Sequence, residues 1–247
     1  MSNSPLFSII TICFNAEATI ERTLKSISVQ NVENFEYIII DGQSTDQTLS
    51  IIAKYKNYVT TLISEPDKGL YDAMNKGIDQ AKGKYLCFLN AGDKFHESNT
   101  LQQLTNRVLS LPKSPDVIYG ETAIVDNEGK FLRMRRLRAP KRLHWKSFKK
   151  GMLVCHQAFM PKRELTPHYD MKYKFSSDFD WCIQILKHAN TTFNSQLTLI
   201  DYLSEGLTTA NHKKSLKERY QIMSHHYGSI STFFYHLGFA IRAIIKK

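Results

Sequence analysis

Apolar runs and helical stripes alternate through the first 95 residues. Phe7–Cys13 is an apolar run broken only by Ser8 and Thr11, and predicts a strand. Ile20, Leu24 and Ile27 then fall at helical spacing. Residues 37–40 predict a second strand, and Leu49, Ile52 and Ala53 a second helix. Residues 59–64 predict a third strand. Leu70, Ala73, Met74, Gly77, Ile78 and Ala81 form one helical stripe, with Gly83 as its cap, and residues 85–89 predict a fourth strand. This alternation points to βαβ units and a mainly parallel sheet, and near-continuous apolar strands fit a sheet covered on both faces. In such sheets ligands bind outside the carboxyl ends of the strands.

The second half is less regular. Residues 100–111 predict a helix stopped by Pro112, and 116–131 a hairpin turning at Asn127-Glu128-Gly129. Residues 179–188 predict a helix and 197–203 a strand. In the tail, 233–247, the apolar positions Phe234, Leu237, Ile241, Ile244 and Ile245 are punctuated by Arg242, Lys246 and Lys247. This is an amphipathic helix, suited either to packing or to a membrane surface.

The 247 residues are 42% hydrophobic and 23% charged, which suits one large domain, or one domain with an appendage, and argues against wholesale disorder. Cys13, Cys87, Cys155 and Cys182 are far apart in sequence, form no zinc spacing, and read as buried free thiols of a reducing compartment. No signal peptide and no membrane-spanning stretch is expected, so the chain is placed in the cytoplasm, free or peripheral on the inner face of the plasma membrane. The net charge of +10 is uneven: residues 133–150 hold nine Lys or Arg and no acid. Such a run attracts phosphates. Only Trp145 and Phe148 interleave it and no nucleic-acid motif accompanies it, so nucleic acid is not an expected partner.

The predicted strands end in acidic or turn-forming residues. After the first comes Asn15, a candidate helix N-cap. After the second come Asp41-Gly42-Gln43-Ser44-Thr45-Asp46, where Ser44 and Gln47 have capping-box spacing and Asp41 is left with a free carboxylate at the strand end. That carboxylate suits a base N–H or a ribose hydroxyl. Glu65-Pro66-Asp67-Lys68-Gly69 follows the third strand; Asp67 there suits either a ligand contact or a cap. Asn90-Ala91-Gly92-Asp93 follows the fourth, an acid beside small residues. One carboxylate with diphosphate oxygens and waters makes an acceptable Mg²⁺ or Mn²⁺ site. Four such ends describe a nucleotide and metal cleft.

The segments Ser8-Ile9-Ile10-Thr11-Ile12-Cys13-Phe14-Asn15, Ile39-Ile40-Asp41-Gly42-Gln43-Ser44-Thr45-Asp46, Glu65-Pro66-Asp67-Lys68-Gly69-Leu70-Tyr71-Asp72-Ala73-Met74-Asn75-Lys76-Gly77 and Phe88-Leu89-Asn90-Ala91-Gly92-Asp93 together resemble the family 2 glycosyltransferases. The resemblance is strong over residues 6–95 and weaker to about residue 210. It implies the α/β GT-A fold, Rossmann-like, with a mainly parallel central sheet, a small acceptor-side extension and C-terminal helices. Residues 1–210 would form the transferase domain, divided at 95 into nucleotide-binding and acceptor-side halves, and 211–247 a helical tail. The resemblance places Thr11 and Asn15 on the floor of the nucleotide site, makes Asp41 the base-binding acid, commonly for uracil, and sets Asp67 and Lys68 beside the nucleotide. Asp93 would be the metal-binding acid, although Asn90 and Gly92 stand where the family often has two further acids. Asp178, in Lys174-Phe175-Ser176-Ser177-Asp178-Phe179-Asp180-Trp181, resembles the catalytic base, with Ser177 in place of the usual Glu and Asp180 as the rival. His156 and Gln157 resemble an acceptor-side segment, His156 being equally suited to a buried structural role.

The activity implied is inverting transfer of one sugar from a nucleotide sugar, UDP-linked by the resemblance, to a saccharide acceptor. The basic run and the tail suggest that this acceptor sits on a polyprenyl diphosphate lipid at a membrane surface. A non-catalytic nucleotide-sugar binding module and a sugar nucleotidyltransferase are the alternatives. The lack of glycine in Phe14-Asn15-Ala16-Glu17 argues against the second.

Overall fold

The structure is a computed structural model that describes residues 4–204 and 212–245. Four parallel strands open the chain: β1 (Phe7–Cys13), β2 (Phe35–Asp41), β3 (Thr61–Ser64) and β4 (Tyr85–Phe88), in spatial order β3-β2-β1-β4. Helices α1 (Ile20–Ser28), α2 (Thr48–Ala53) and α3 (Leu70–Gln80) connect them. All seven residues of β1 are buried, as a central strand covered on both faces requires. The turn before β4 has no room for a side chain: a Cβ on Gly83 would lie 2.6 Å from the backbone nitrogen of Ser8. The buried Glu36 carboxylate fastens that turn, accepting from Ser8 Oγ at 2.6 Å and Gly83 N at 2.8 Å.

A second sheet runs β5 (Lys94–Phe95), β9 (Thr192–Leu203), β6 (Val117–Val125) and β7 (Phe131–Met134), with β8 (Phe159–Pro161) also on β6. Helix α4 (Thr100–Leu109) precedes β6, and α5 (Ser177–His188) precedes β9. The strand expected at 197–203 is longer because β6 pairs with it from Val117↔Thr192 to Val125↔Leu203. The polar stretch Asn194-Ser195-Gln196 hides this in the sequence, and it coincides with a register shift where Gln196 takes φ 57°. The third strand starts at Thr61 and not at 59, since residues 54–59 continue α2 as turns. Helices α6 (His212–Tyr227) and α7 (Ser229–Ile245) close the chain. Of the basic residues expected in the tail helix, Lys246 and Lys247 lie outside the described residues.

Three capping expectations are corrected. Helix α3 ends at Gln80 with Ala81 in the C-cap position, so Gly83 is not its cap. Helix α1 begins at Ile20 with Thr19 in the N-cap position, and Asn15 sits apart in the left-handed region at φ 46°. Helix α2 begins at Thr48 after Gln47, so Ser44 is no capping-box residue; its hydroxyl turns back to Asp41. All four cysteines are buried and free.

Candidate active site

The carboxyl ends of β1, β2 and β4 meet at one edge of the parallel sheet. Asp41 closes β2 there, but its carboxylate is not free as expected. It is fully buried and accepts from Ser44 N at 2.9 Å, from Ser44 Oγ, from Ser64 Oγ at 2.7 Å and from Cys13 Sγ at 3.6 Å. A buried carboxylate needs such donors. Asp41 therefore organises the loops at the ends of β2 and β3.

Around it the rim is open. A Cβ on Gly42 would fall 2.4 Å from Asp67 Oδ2 and 3.3 Å from the Phe14 ring, so glycine is what lets these two approach the loop. The Phe14 ring is 62% exposed, a flat apolar surface beside Asp41 and Asp67. Phe14 is not singled out by the sequence pattern; an aromatic directly after a buried strand was the available signal. Asn15 is on the same rim, its Oδ1 accepting from Thr45 N at 2.9 Å. Asp67 holds its own turn through Gly69 N at 2.7 Å, and Lys68 is exposed. Thr11 lies beneath the floor: it is fully buried, donating to Leu89 O at 2.7 Å and accepting from Tyr37 Oη at 3.0 Å.

After β4 the chain makes a tight turn. Gly92 takes φ 99°, and Thr23 of α1 pins the turn, accepting from Gly92 N at 2.9 Å and donating to Asp93 O at 2.7 Å. Asp93 is 4% exposed, with Oδ1 accepting from Leu203 N at 3.1 Å and Oδ2 from Gln157 Nε2 at 2.8 Å. Gln157 thus faces the Asp93 loop. Burial pushes the Asp93 carboxyl up to about 7, against the pull of Leu203 N, Gln157 and Arg22.

A cation held by protein needs several oxygen ligands. Among the described residues no three His, Cys, Asp or Glu gather for one. Each Asp93 oxygen accepts one hydrogen bond, and Asn90 Oδ1 is a buried neutral oxygen without a partner among the described residues. One carboxylate and one amide oxygen are too few to make a resident Mg²⁺ or Mn²⁺ site by themselves.

The raised Asp93 acid gives a pH prediction. Its proton is held more tightly in the folded chain (about 7) than in the unfolded one (3.8). The stabilisation is complete below about pH 3.8 and is lost as pH rises through about 7. Raising pH from 5 to 8 should therefore lower the melting temperature of the native chain more than that of Asp93→Asn. Parallel curves for the two in a thermal-shift titration would refute this.

Asp178 lies in the first turn of α5 and is partly exposed. Its Oδ1 accepts from Phe179 N at 2.9 Å and from the Tyr71 hydroxyl of α3 at 3.2 Å, while Oδ2 has no partner among the described residues. The Tyr71 hydroxyl stays protonated, its acidity suppressed by burial and by the Asp178 charge. Tyr71 was missed because it stands beside the α3 stripe of Leu70, Ala73 and Met74, and nothing local marks its hydroxyl as a partner for a distant acid. Asp180, the rival, is buried and committed: it accepts from His226 Nε2 at 2.6 Å and Gln184 Nε2 at 2.5 Å. Burial opposes its ionisation, but those donors outweigh it and hold the carboxyl below its usual range.

Below Asp178 is an aromatic wall. Tyr169 stacks on Tyr71 (centroids 5.4 Å apart) and on Trp181 (4.8 Å). His156 belongs to this wall. It is buried, shares a 2.5 Å hydrogen bond with the Tyr169 hydroxyl and stacks on Phe88. Burial lowers its pKa to about 4, so it stays neutral. On top of burial, the charges of Asp93 and Asp178 both raise the pKa of Cys155 and Tyr202 and the charge of Arg135 lowers it, so all three lie within electrostatic reach of this pair. In the sequence Arg135 was one of nine indistinguishable cations.

Residues 8–166 match the family described as Glycosyl transferase family 2. The chain belongs to that family. This family 2 transferase is 33% identical over 191 residues to the PGL/p-HBAD biosynthesis glycosyltransferase of Mycobacterium bovis, covering 73% of this chain and 70% of the relative. It is 31% identical to the amylovoran biosynthesis glycosyltransferase AmsB of Erwinia amylovora, covering 72% of this chain and 63% of AmsB. Among solved structures it resembles S. aureus TarS 1–349 in complex with UDP-GlcNAc, with a TM-score of 0.69 and 20% identity over 88% of this chain. It spans 64% of that TarS chain, less than two thirds. The mannosyltransferase PcManGT of Pyrobaculum calidifontis, solved with GDP-Man and Mn²⁺, has a TM-score of 0.62 at 17% identity, covering 90% of this chain and 64% of PcManGT. These structures are GT-A glycosyltransferases, and the α/β fold is theirs.

Proposed function

We propose that this transferase moves one sugar from a UDP-sugar to a saccharide acceptor carried on a polyprenyl diphosphate lipid, with inversion, in the assembly of a surface polysaccharide. The partly exposed Asp178, with one oxygen held and the other open, carries the reading. Its Oδ2 takes the proton of an acceptor hydroxyl as that oxygen attacks the anomeric carbon. The bond from that carbon to the diphosphate breaks, and UDP leaves from the opposite face, so one displacement inverts the centre.

The Phe14 ring gives the uracil a stacking surface, on a rim built by Asp41, Asp67, Asn15 and Lys68 over the buried Thr11. Arg135 supplies positive charge where the diphosphate leaves. Gln157 and His156 support the space between the acids from behind. A Mg²⁺ or Mn²⁺ ion would arrive with the donor's diphosphate, as part of the substrate.

The test is the melting temperature with a panel of nucleotides and nucleotide sugars, each with and without Mn²⁺. A ligand at about 100 times its dissociation constant stabilises by about 2.7 kcal/mol. For a chain of this size that is a rise of roughly 5–11 °C. UDP and a subset of UDP-sugars should produce it, and Mn²⁺ alone should not. No response to any uridine nucleotide would sink the reading.

A further inference from the structure

Helix α7 presents its apolar side outward. Ile230 is 79% exposed, Phe234 65% and Phe233 56%, and with Leu237 and Ile241 they make one outward stripe at helical spacing. The inward face is the more polar one. Thr232 is fully buried with its hydroxyl unpartnered among the described residues, His236 has Nε2 buried in the same condition, and Tyr235 and Phe239 pack beside them. A helix on a protein in water puts these faces the other way round. A contiguous exposed apolar stripe marks a docking surface.

The charges around it indicate what docks. On one flank Lys149 of the basic segment lies 5.3 Å over the Tyr227 ring and 5.9 Å over the Tyr235 ring. Trp145 stacks on Tyr227 at 5.4 Å and its carbonyl accepts from the Tyr227 hydroxyl at 2.6 Å, so the basic segment is fastened to the helical tail. On the other flank Lys213 and Lys217 line a groove with His236. Residues 212–247 hold seven Lys or Arg and a single acid, Glu218. Pairing this face with a second copy would set lysines against lysines. Among the described residues no helix is long and apolar enough to cross a membrane.

We propose that α7 is a surface anchor. Its outward stripe lies at the headgroup and acyl boundary of an anionic bilayer, with Lys149 on one side and Lys213 and Lys217 on the other at headgroup level. This deepens the reading of a lipid-linked acceptor, because it names the surface through which the protein meets the membrane.

The test is flotation of the full chain with phosphatidylcholine vesicles, with and without phosphatidylglycerol, at low and high salt. The native protein should float with phosphatidylglycerol vesicles, and less so at high salt. The double variant Phe234→Glu, Leu237→Glu should bind roughly tenfold or more weakly. Both positions are exposed, so its melting temperature should match the native one. Three results would each overturn the anchor: no flotation, equal flotation with neutral vesicles, or full retention by the variant. A native dimer dissolved by the same substitutions would overturn it too, in favour of self-association. The UDP-induced melting shift, measured on the same samples, keeps the two readings apart. Nucleotide binding without flotation sinks only the anchor, and flotation without nucleotide binding sinks only the transferase reading.

Discussion

Asp178→Asn should lower kcat by roughly 10²–10⁴-fold while leaving the UDP-induced melting shift in place, the scale of lost general-base catalysis. The substitution keeps the shape of the side chain and an acceptor for Phe179 N and the Tyr71 hydroxyl, so the helix start should survive. What it removes is the basic Oδ2 to which the proposed mechanism assigns the acceptor's proton. Tyr71→Phe is the informative companion. The Tyr71 hydroxyl is one of two donors that hold Asp178 Oδ1 in place, so its removal should lower kcat with little change in donor KM. Steady-state and single-turnover assays read both variants. Normal turnover by Asp178→Asn ends the assignment; a native kcat for Tyr71→Phe ends the part given to Tyr71.

The second large effect is on the fold. Asp41→Ala removes the fully buried acceptor of two serine hydroxyls, one backbone N–H and one thiol; the thiol is buried, Ser44 is half-buried and Ser64 lies at the surface. A buried donor left unsatisfied costs about 1–3 kcal/mol. With water reaching the serines the loss should be about 2 kcal/mol, a fall of roughly 4–8 °C in melting temperature. Asp41→Asn keeps an acceptor and should fall less. Both variants should lose the UDP response, because Ser44 and Ser64 are what shape the rim. An Asp41→Ala chain that melts like the native protein would show the carboxylate to be dispensable.

The first sheet was legible because each of its strands is an uninterrupted apolar run and each connection is a short helix. Pattern and pairing agree over local distances, and strand-end rules then pointed to Asp41, Asp67 and Asp93. The second sheet was only partly legible. Its long strand β9 contains Asn194, Ser195 and Gln196, and its length is set by pairing with β6, far away in sequence. Side-chain use was less legible still. Nothing local says that Asp41 is caged by Ser44 and Ser64, that both oxygens of Asp93 accept hydrogen bonds, or that Asp180 belongs to His226. Tyr71, Phe14 and Arg135 lie beside a core stripe, at a strand end and in a charge run, and only the tertiary fold sets Tyr71 against Asp178, Phe14 near Asp67, and Arg135 within electrostatic reach of Cys155 and Tyr202.

The bond between Leu203 N and Asp93 Oδ1 has a consequence for the order of assembly. The parallel sheet is built from neighbouring segments and can form as soon as its residues have left the ribosome. The turn that bears Asp93 is complete in sequence at that moment, yet one of its hydrogen bonds waits for β9, more than a hundred residues later, to insert between β5 and β6. The cleft of a nascent chain is therefore unfinished until nearly all of it has been synthesised. A chain cut short before Leu203 should hold the loops after β1, β2 and β3 beside an unfastened Asp93 turn, and its premature stop should show as lost transferase activity before it shows as lost secondary structure.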